Sequence, residues 1–188
     1  MSEYNFLQRK NDVLKKVDKS YAGGWDKKIA ALCEKINKSP NYYTTSSCSG
    51  RVLIMIDQMK KGAGLFIWMS HDKITPKEVR DKLENFKEKE LLKFKCEPPI
   101  IHIVCKTLKD AKEILRKGQK AGFKNSGIIS LSRNIVAEIH GTEKFEFPVF
   151  KCGKFLIGDK FIRLVVEKSN KKLEKGWKII GKLDGLIS

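Results

Sequence analysis

Val52-Leu53-Ile54-Met55-Ile56, Leu65-Phe66-Ile67-Trp68-Met69 and Thr75-Pro76-Lys77-Glu78 follow one another along the chain, and their reading sets the fold class. The first two are apolar runs of strand length. The turn between them carries Lys60, Lys61, Gly62 and Gly64, so the pair predicts a β-hairpin. The third is a helix start: Thr75 supplies the N-cap, Pro76 tolerates the first helical position, and Glu78 closes a capping box. Val79, Leu83 and Phe86 then share one helical face.

Toward the C-terminus, Ile100 to Cys105 reads as a buried strand, followed by a helix from about Leu108 to Ala121 that Gly122 ends. Ile128 to Leu131 and Ile135 to Ile139 read as paired strands. Phe145 to Ile157 predicts a further hairpin around Lys151-Cys152-Gly153-Lys154, and a last helix starts near Asp159. Toward the N-terminus, Phe6, Val13, Leu14 and Val17, then Ile29, Leu32, Cys33 and Ile36, recur at helical spacing. Gly23 and Gly24 let the chain turn between these two helices, and Asp26 can cap the second. The order predicts an α/β fold of the mixed α+β kind, a mixed β-sheet flanked by helices, in a single domain over residues 1–188. Strands with a helix follow residue 51 and again residue 99, a hint of internal duplication.

Composition narrows the function. The 188 residues hold 39 Lys and Arg against 22 Asp and Glu, a net charge of +17. Lysine-rich surfaces built for ion pairing carry matching acids, and here the acids fall short. The excess favours a polyanionic partner, since each phosphate neutralised releases condensed counterions. From Lys160 to Lys182, eight lysines and arginines stand against two glutamates, interleaved with Phe161, Ile162, Leu164, Val165 and Leu173. No run approaches the roughly 20 apolar residues of a membrane span, and Met1 to Lys10 lacks a secretory signal's apolar core. The five cysteines are odd in number, with no Cys-x-x-Cys pair, and the three histidines lack zinc-helix spacing. A cytoplasmic protein with no metal and no membrane is expected, with a monomer favoured.

The densest polar segment is Tyr42-Tyr43-Thr44-Thr45-Ser46-Ser47-Cys48-Ser49-Gly50-Arg51. Small hydroxyls and a guanidinium are poor core material, and the segment reads as a loop offering amides, hydroxyls and Arg51 to one anionic group. Cys48 near Arg51 invites a nucleophile reading. Only Ser49 and Gly50 separate the two, too few amides to ring a phosphate, which argues against a cysteine-dependent phosphatase. His71 lies at a strand end, where sites on mixed sheets form. His102 sits inside Ile100-Ile101-His102-Ile103-Val104-Cys105, either a core histidine or a functional one. Glu97 either orients a histidine or closes a turn, and His140, before Gly141, has the weakest claim. Gly62-Ala63-Gly64 lies between two strands and cannot be a dinucleotide-binding turn.

Thr44-Thr45-Ser46-Ser47-Cys48-Ser49-Gly50-Arg51 resembles the hallmark of the tRNA wybutosine-synthesising N4-methyltransferases: Ser or Thr, any residue, Ser-Ser-Cys, any residue, Gly-Arg. The similarity extends to Trp68-Met69-Ser70-His71, to Lys95-Cys96-Glu97-Pro98 with His102, and to Gly122-Phe123-Lys124-Asn125-Ser126-Gly127. It implies a fold distinct from the Rossmann methyltransferases. It also implies an S-adenosylmethionine-dependent enzyme that methylates N4 of 7-aminocarboxypropyl-demethylwyosine at position 37 of tRNA(Phe), bound by the anticodon arm. An active centre of the serine-cysteine motif with an aspartate and a histidine follows: Asp26, Ser46, Ser47 and Cys48, with His71 or His102. Cofactor contacts fall to Thr44, Ser46, Ser47, Ser49, Gly50 and Arg51. Asp26 is expected at the attacking nitrogen, Arg51 on a carboxylate, and Trp25, Tyr42 and Tyr43 are candidates to stack on the base. A noncatalytic RNA-binding module with an anion-gripping loop is the alternative.

Overall fold

The structure is a computed structural model that describes residues 3–15, 26–58 and 64–187, with side chains from residue 5 onward. Val17, the Gly23-Gly24 turn, Trp25 and the Lys60, Lys61 and Gly62 part of the first hairpin lie outside them. The described elements are α1 (Glu3–Leu14), α2 (Lys27–Lys38), β1 (Tyr42–Cys48), β2 (Arg51–Ile56), β3 (Phe66–Ser70), α3 (Pro76–Glu84) and β4 (Leu92–Glu97). They continue with β5 (Ile100–Cys105), α4 (Leu108–Ala121), β6 (Gly127–Ser130), β7 (Ile135–His140), β8 (Phe145–Lys151), β9 (Lys154–Phe155) and α5 (Asp159–Asp184). They gather into two compact units: residues 1–49, 99–142 and 176–188, and residues 50–98 and 143–175. The mixed α and β class holds, built on two sheets rather than one. Every strand pairing among the described residues is antiparallel.

The first unit carries a four-stranded sheet in the order β1-β5-β7-β6. Strand periodicity sends Ile101, Ile103 and Cys105 of β5 and Ala137 and Ile139 of β7 to one face. There they join Ile29, Leu32, Cys33 and Ile36 of α2, Ala111 and Ile114 of α4, and Ile180 and Leu183 of α5 in one core. Burial pushes the Cys33 thiol up to about 11 and the Cys105 thiol up to about 12, so both are inert packing groups. On the opposite face, Phe6 of α1 packs with Tyr43 and Val104, the Phe6 and Tyr43 rings 5.3 Å apart. Helix α4 begins with a capping box between Thr107 and Asp110 and ends at Gly122, whose φ of 117° requires glycine.

The second unit carries a five-stranded sheet in the order β3-β2-β4-β8-β9. Strand β4, Leu92-Lys93-Phe94-Lys95-Cys96-Glu97, alternates buried and half-buried residues, a period-two signal masked in the sequence by three charges. One of its faces holds Phe94 stacked with Phe145 and Phe147 of β8, and Phe161 of α5 meets Phe147 edge-on. On the other face, Lys95 is paired with Glu97 and Glu146 at 2.9 and 3.2 Å. The expected capping box of α3 is present. The expected turn of the last hairpin is present too, with Cys152 at φ 49° and Gly153 at φ 76°.

Glu143, ahead of β8, receives hydrogen bonds from Lys172 and Lys175, which draw its carboxyl down from 4.5 to about 2. A carboxyl lowered on folding adds stability above its unfolded pKa and loses it as pH falls through the folded value. Thermal melting in the acid range should therefore lose part of its stability between about pH 4.5 and about pH 2 through this residue. Glu143→Gln should flatten the melting curve across that window; an unchanged pH dependence would show that the pin contributes nothing.

Candidate functional site

The hydroxyl-rich segment expected as a loop is strand β1, at the edge of the first unit's sheet. Tyrosine and threonine suit a pleated surface, and pairing with β5 satisfies the backbone that a loop would leave to solvent or ligand. The register runs Tyr42 opposite Cys105, Tyr43 opposite Val104 and Thr44 opposite Ile103. It then shifts, so that Ser46 stands opposite His102, Ser47 opposite Ile101 and Cys48 opposite Ile100. The extra residue of this β-bulge, Thr45, reverses which face the following side chains take. Ser46 thereby shares the outer face with His102, while Ser47 turns inward to hydrogen-bond the Cys33 thiol.

Three side chains form a row across three neighbouring strands. Ser46 Oγ lies 2.8 Å from His102 Nδ1, and His102 Nε2 lies 2.8 Å from Glu138 Oε2. His102 and Glu138 are opposite each other in the β5–β7 register. Their side chains are 30% and 26% exposed, open enough for a ligand to reach. The His102 ring points away from the Ile101 and Ile103 core and is therefore not a core histidine. Glu138 was not singled out in the sequence. A lone glutamate in Ile135-Val136-Ala137-Glu138-Ile139-His140 was the available signal, and only the register gives it meaning.

Asp26 is the N-cap of α2, as its position predicts. Its Oδ1 accepts from the Lys28 amide at 3.1 Å and its Oδ2 from the Ser49 amide at 2.8 Å. One carboxylate thus ties the helix start to the end of β1. Ser49 is fully buried, and its hydroxyl finds no partner among the described residues. Close by, Gly176 of α5 lies so near that an added Cβ would sit 3.0 Å from Pro99 Cδ and 3.6 Å from the Ser49 carbonyl oxygen. Thr44, expected to touch a cofactor, is buried, and Asn37 Oδ1 accepts from its amide at 2.8 Å while Asn37 Nδ2 donates to its hydroxyl at 3.0 Å. It holds β1 to α2. Tyr42 and Tyr43 are buried, the first donating its hydroxyl to the Asp110 carbonyl at 3.1 Å, so neither is a stacking platform. Burial withdraws both rings from any base. Cys48 is half-buried at the end of β1.

Gly50, Arg51 and His71 belong to the second unit. Gly50 has φ 96°, a turn conformation that suits glycine. Arg51 opens β2 opposite Glu97 and donates from Nε to Glu97 Oε2 at 2.7 Å; its Nη1 approaches Met69 Sδ at 3.4 Å. Burial opposes ionisation of Glu97, yet the Lys95 hydrogen bond and the Arg51 charge outweigh it and hold its carboxyl below the usual value. Glu97 is thus the partner of Arg51 and Lys95. His71 is half-buried in the bend after β3.

The family described as Methyltransferase TYW3 matches residues 8–188. A relative from Archaeoglobus fulgidus is 37% identical over 159 residues, covering 82% of this chain and 79% of its own length. It is named tRNA(Phe) 7-((3-amino-3-carboxypropyl)-4-demethylwyosine(37)-N(4))-methyltransferase, as is a Thermococcus sibiricus relative 33% identical over 189 residues, covering 98% of this chain and 95% of that one. The solved PH1069 protein of Pyrococcus horikoshii superposes with a TM-score of 0.89 at 28% identity, over 99% of this chain and 97% of that one. The family match over residues 8–188 and these relatives show it: this chain belongs to the TYW3 methyltransferase family.

Proposed function

We propose that this chain, acting as one methyltransferase domain, transfers a methyl group to N4 of the 7-aminocarboxypropyl-demethylwyosine base at position 37 of tRNA(Phe). The match over residues 8–188, together with relatives named for that reaction, carries the reading. S-adenosylmethionine is the proposed donor; when bound it supplies a methyl carbon on a positively charged sulfur. Arg51 fits a role in holding a carboxylate, of the donor or of the base's aminocarboxypropyl arm. A guanidinium has five N–H donors, and the contacts to Glu97 and Met69 use two of them.

The protein's own chemical task is to orient the base, exclude water and accept the proton that leaves N4. His102 suits that last task better than Asp26. Both Asp26 oxygens are already engaged with backbone amides, whereas His102 presents its Nδ1 to the outer face beside Ser46. Asp26 then acts by fixing the end of β1. The phosphates of the anticodon arm suit the outer side of α4, where Lys109, Lys112, Arg116 and Lys120 are exposed at helical spacing. Lys109, Lys112 and Arg116 line a depression of about 260 Å³ there. No helix among the described residues is long and apolar enough to cross a membrane.

Incubation of the purified chain with undermodified tRNA(Phe) and labelled methyl donor should label nucleotide 37. Binding of tRNA without any label would support the noncatalytic RNA-binding reading instead. Asp26→Ala should lower stability by about 1–2 kcal/mol in denaturant unfolding through loss of the cap. An unchanged midpoint with abolished turnover would return Asp26 to the chemistry. Arg51→Lys should weaken binding of the carboxylate-bearing ligand, read by calorimetry as at least a roughly tenfold rise in Kd; equal affinities would remove that role.

A further inference from the structure

Ser46, His102 and Glu138 occupy one row, each opposite the next in the β1–β5 and β5–β7 registers, with contacts of 2.8 Å at both imidazole nitrogens. An ionised carboxylate only accepts hydrogen bonds, so Glu138 requires a proton on His102 Nε2. In the neutral ring, Nδ1 is then the acceptor, and Ser46 must donate to it. The outer end of this row is the Ser46 hydroxyl, on an exposed residue of an edge strand. The inner end is the Glu138 carboxylate, which accepts from Nε2.

We infer that this row is a proton path for the methyl transfer, entered at Ser46, stored on His102 and oriented by Glu138. The inference rests on the methyltransferase reading. As the nitrogen–methyl bond forms, the nitrogen's proton passes to Ser46 Oγ while the proton already on Ser46 passes to His102 Nδ1. The bond from sulfur to methyl breaks, and its electron pair stays on sulfur. The serine ends unchanged, and the positive charge that began on the sulfonium ends as an imidazolium beside Glu138. Release of that proton to water resets the path. Ser46 and His102 touch the reacting proton, and Glu138 is a positioning residue.

The same three residue types serve as a nucleophilic triad in hydrolases, but this row lacks the other half of that machinery. Ser46 lies within a strand, so the amides beside it point along the plane of the sheet and not toward a carbonyl group above its face. A relay that accepts a proton is supported here and an acyl carrier is not.

Long-range proton–nitrogen correlation spectra of the full-length protein test the orientation without any substrate. The neutral His102 ring should carry its proton on Nε2 in the wild type, and Glu138→Ala should populate the other tautomer. A proton on Nδ1 in the wild type, or a tautomer indifferent to Glu138→Ala, overturns the assignment; the wild-type spectrum decides even if the variant does not fold. In methyl-transfer assays, Glu138→Gln and Ser46→Ala should each lower kcat at least about tenfold with KM for tRNA little changed, and Ser46→Thr, which keeps a hydroxyl, should recover much of the loss. Transfer that survives both Glu138→Gln and Ser46→Ala overturns the path alone. Absence of transfer by the wild-type chain overturns the methyltransferase reading and the path with it.

Discussion

The antiparallel pairing of β1 with β5, interrupted by one bulge, is the constraint on which the rest of the first unit depends. Side chains of a strand alternate faces, so a one-residue shift exchanges every position that follows. With Thr45 extra, Tyr43 and Ser46 share the outer face although they are three residues apart, and Thr44 and Ser47 share the inner one. Without it, Ser46 would turn into the apolar packing of α2, and its hydroxyl would be left without His102. Asn37 and Asp26 hold the two ends: Asn37 grips Thr44 at the start of β1, and Asp26 receives the amide of Ser49 just past its end.

The charge distribution follows a related logic. Several of the 22 acids hold scaffold cations: Glu97 binds Arg51 and Lys95, Glu143 binds Lys172 and Lys175, and Glu113 binds Lys117. Each such pair removes a positive charge from the surface potential. What is left over is displayed on surfaces such as that of Lys109, Lys112, Arg116 and Lys120 of α4, with Glu113 among them. Any binding of a polyanion to such a surface weakens as salt rises, and exposed pairs alone give little stability.

Much of the architecture was legible because local chemistry decided it. Thr75-Pro76-Lys77-Glu78 can hardly be anything but a helix start, and Gly122 and Gly153 mark turns that other residues adopt at a cost. The hairpins were legible for the same reason. Strand β1 was not, because its hydroxyls look like loop chemistry until β5 supplies a partner for their backbone. Strand β4 shows alternation as clean as any in the chain, yet its three charges in six residues obscured it. The site divides along the same line. The serine-cysteine motif, Asp26 and His102 stand out by residue type, whereas the meaning of Glu138, the scaffold task of Thr44 and the burial of Tyr42 and Tyr43 are properties of register. Nothing in a linear sequence announces a bulge at Thr45.

The proposed proton path requires Ser46 and His102, brought together by that register, to work as one unit in methyl transfer. A double-mutant cycle on kcat with Ser46→Ala, His102→Gln and the combined variant tests it most directly. Residues on one proton path should give a double variant about as slow as His102→Gln alone. Losses that multiply across the two single variants would mean that they act independently, and the row across β1, β5 and β7 would then be a feature of packing alone.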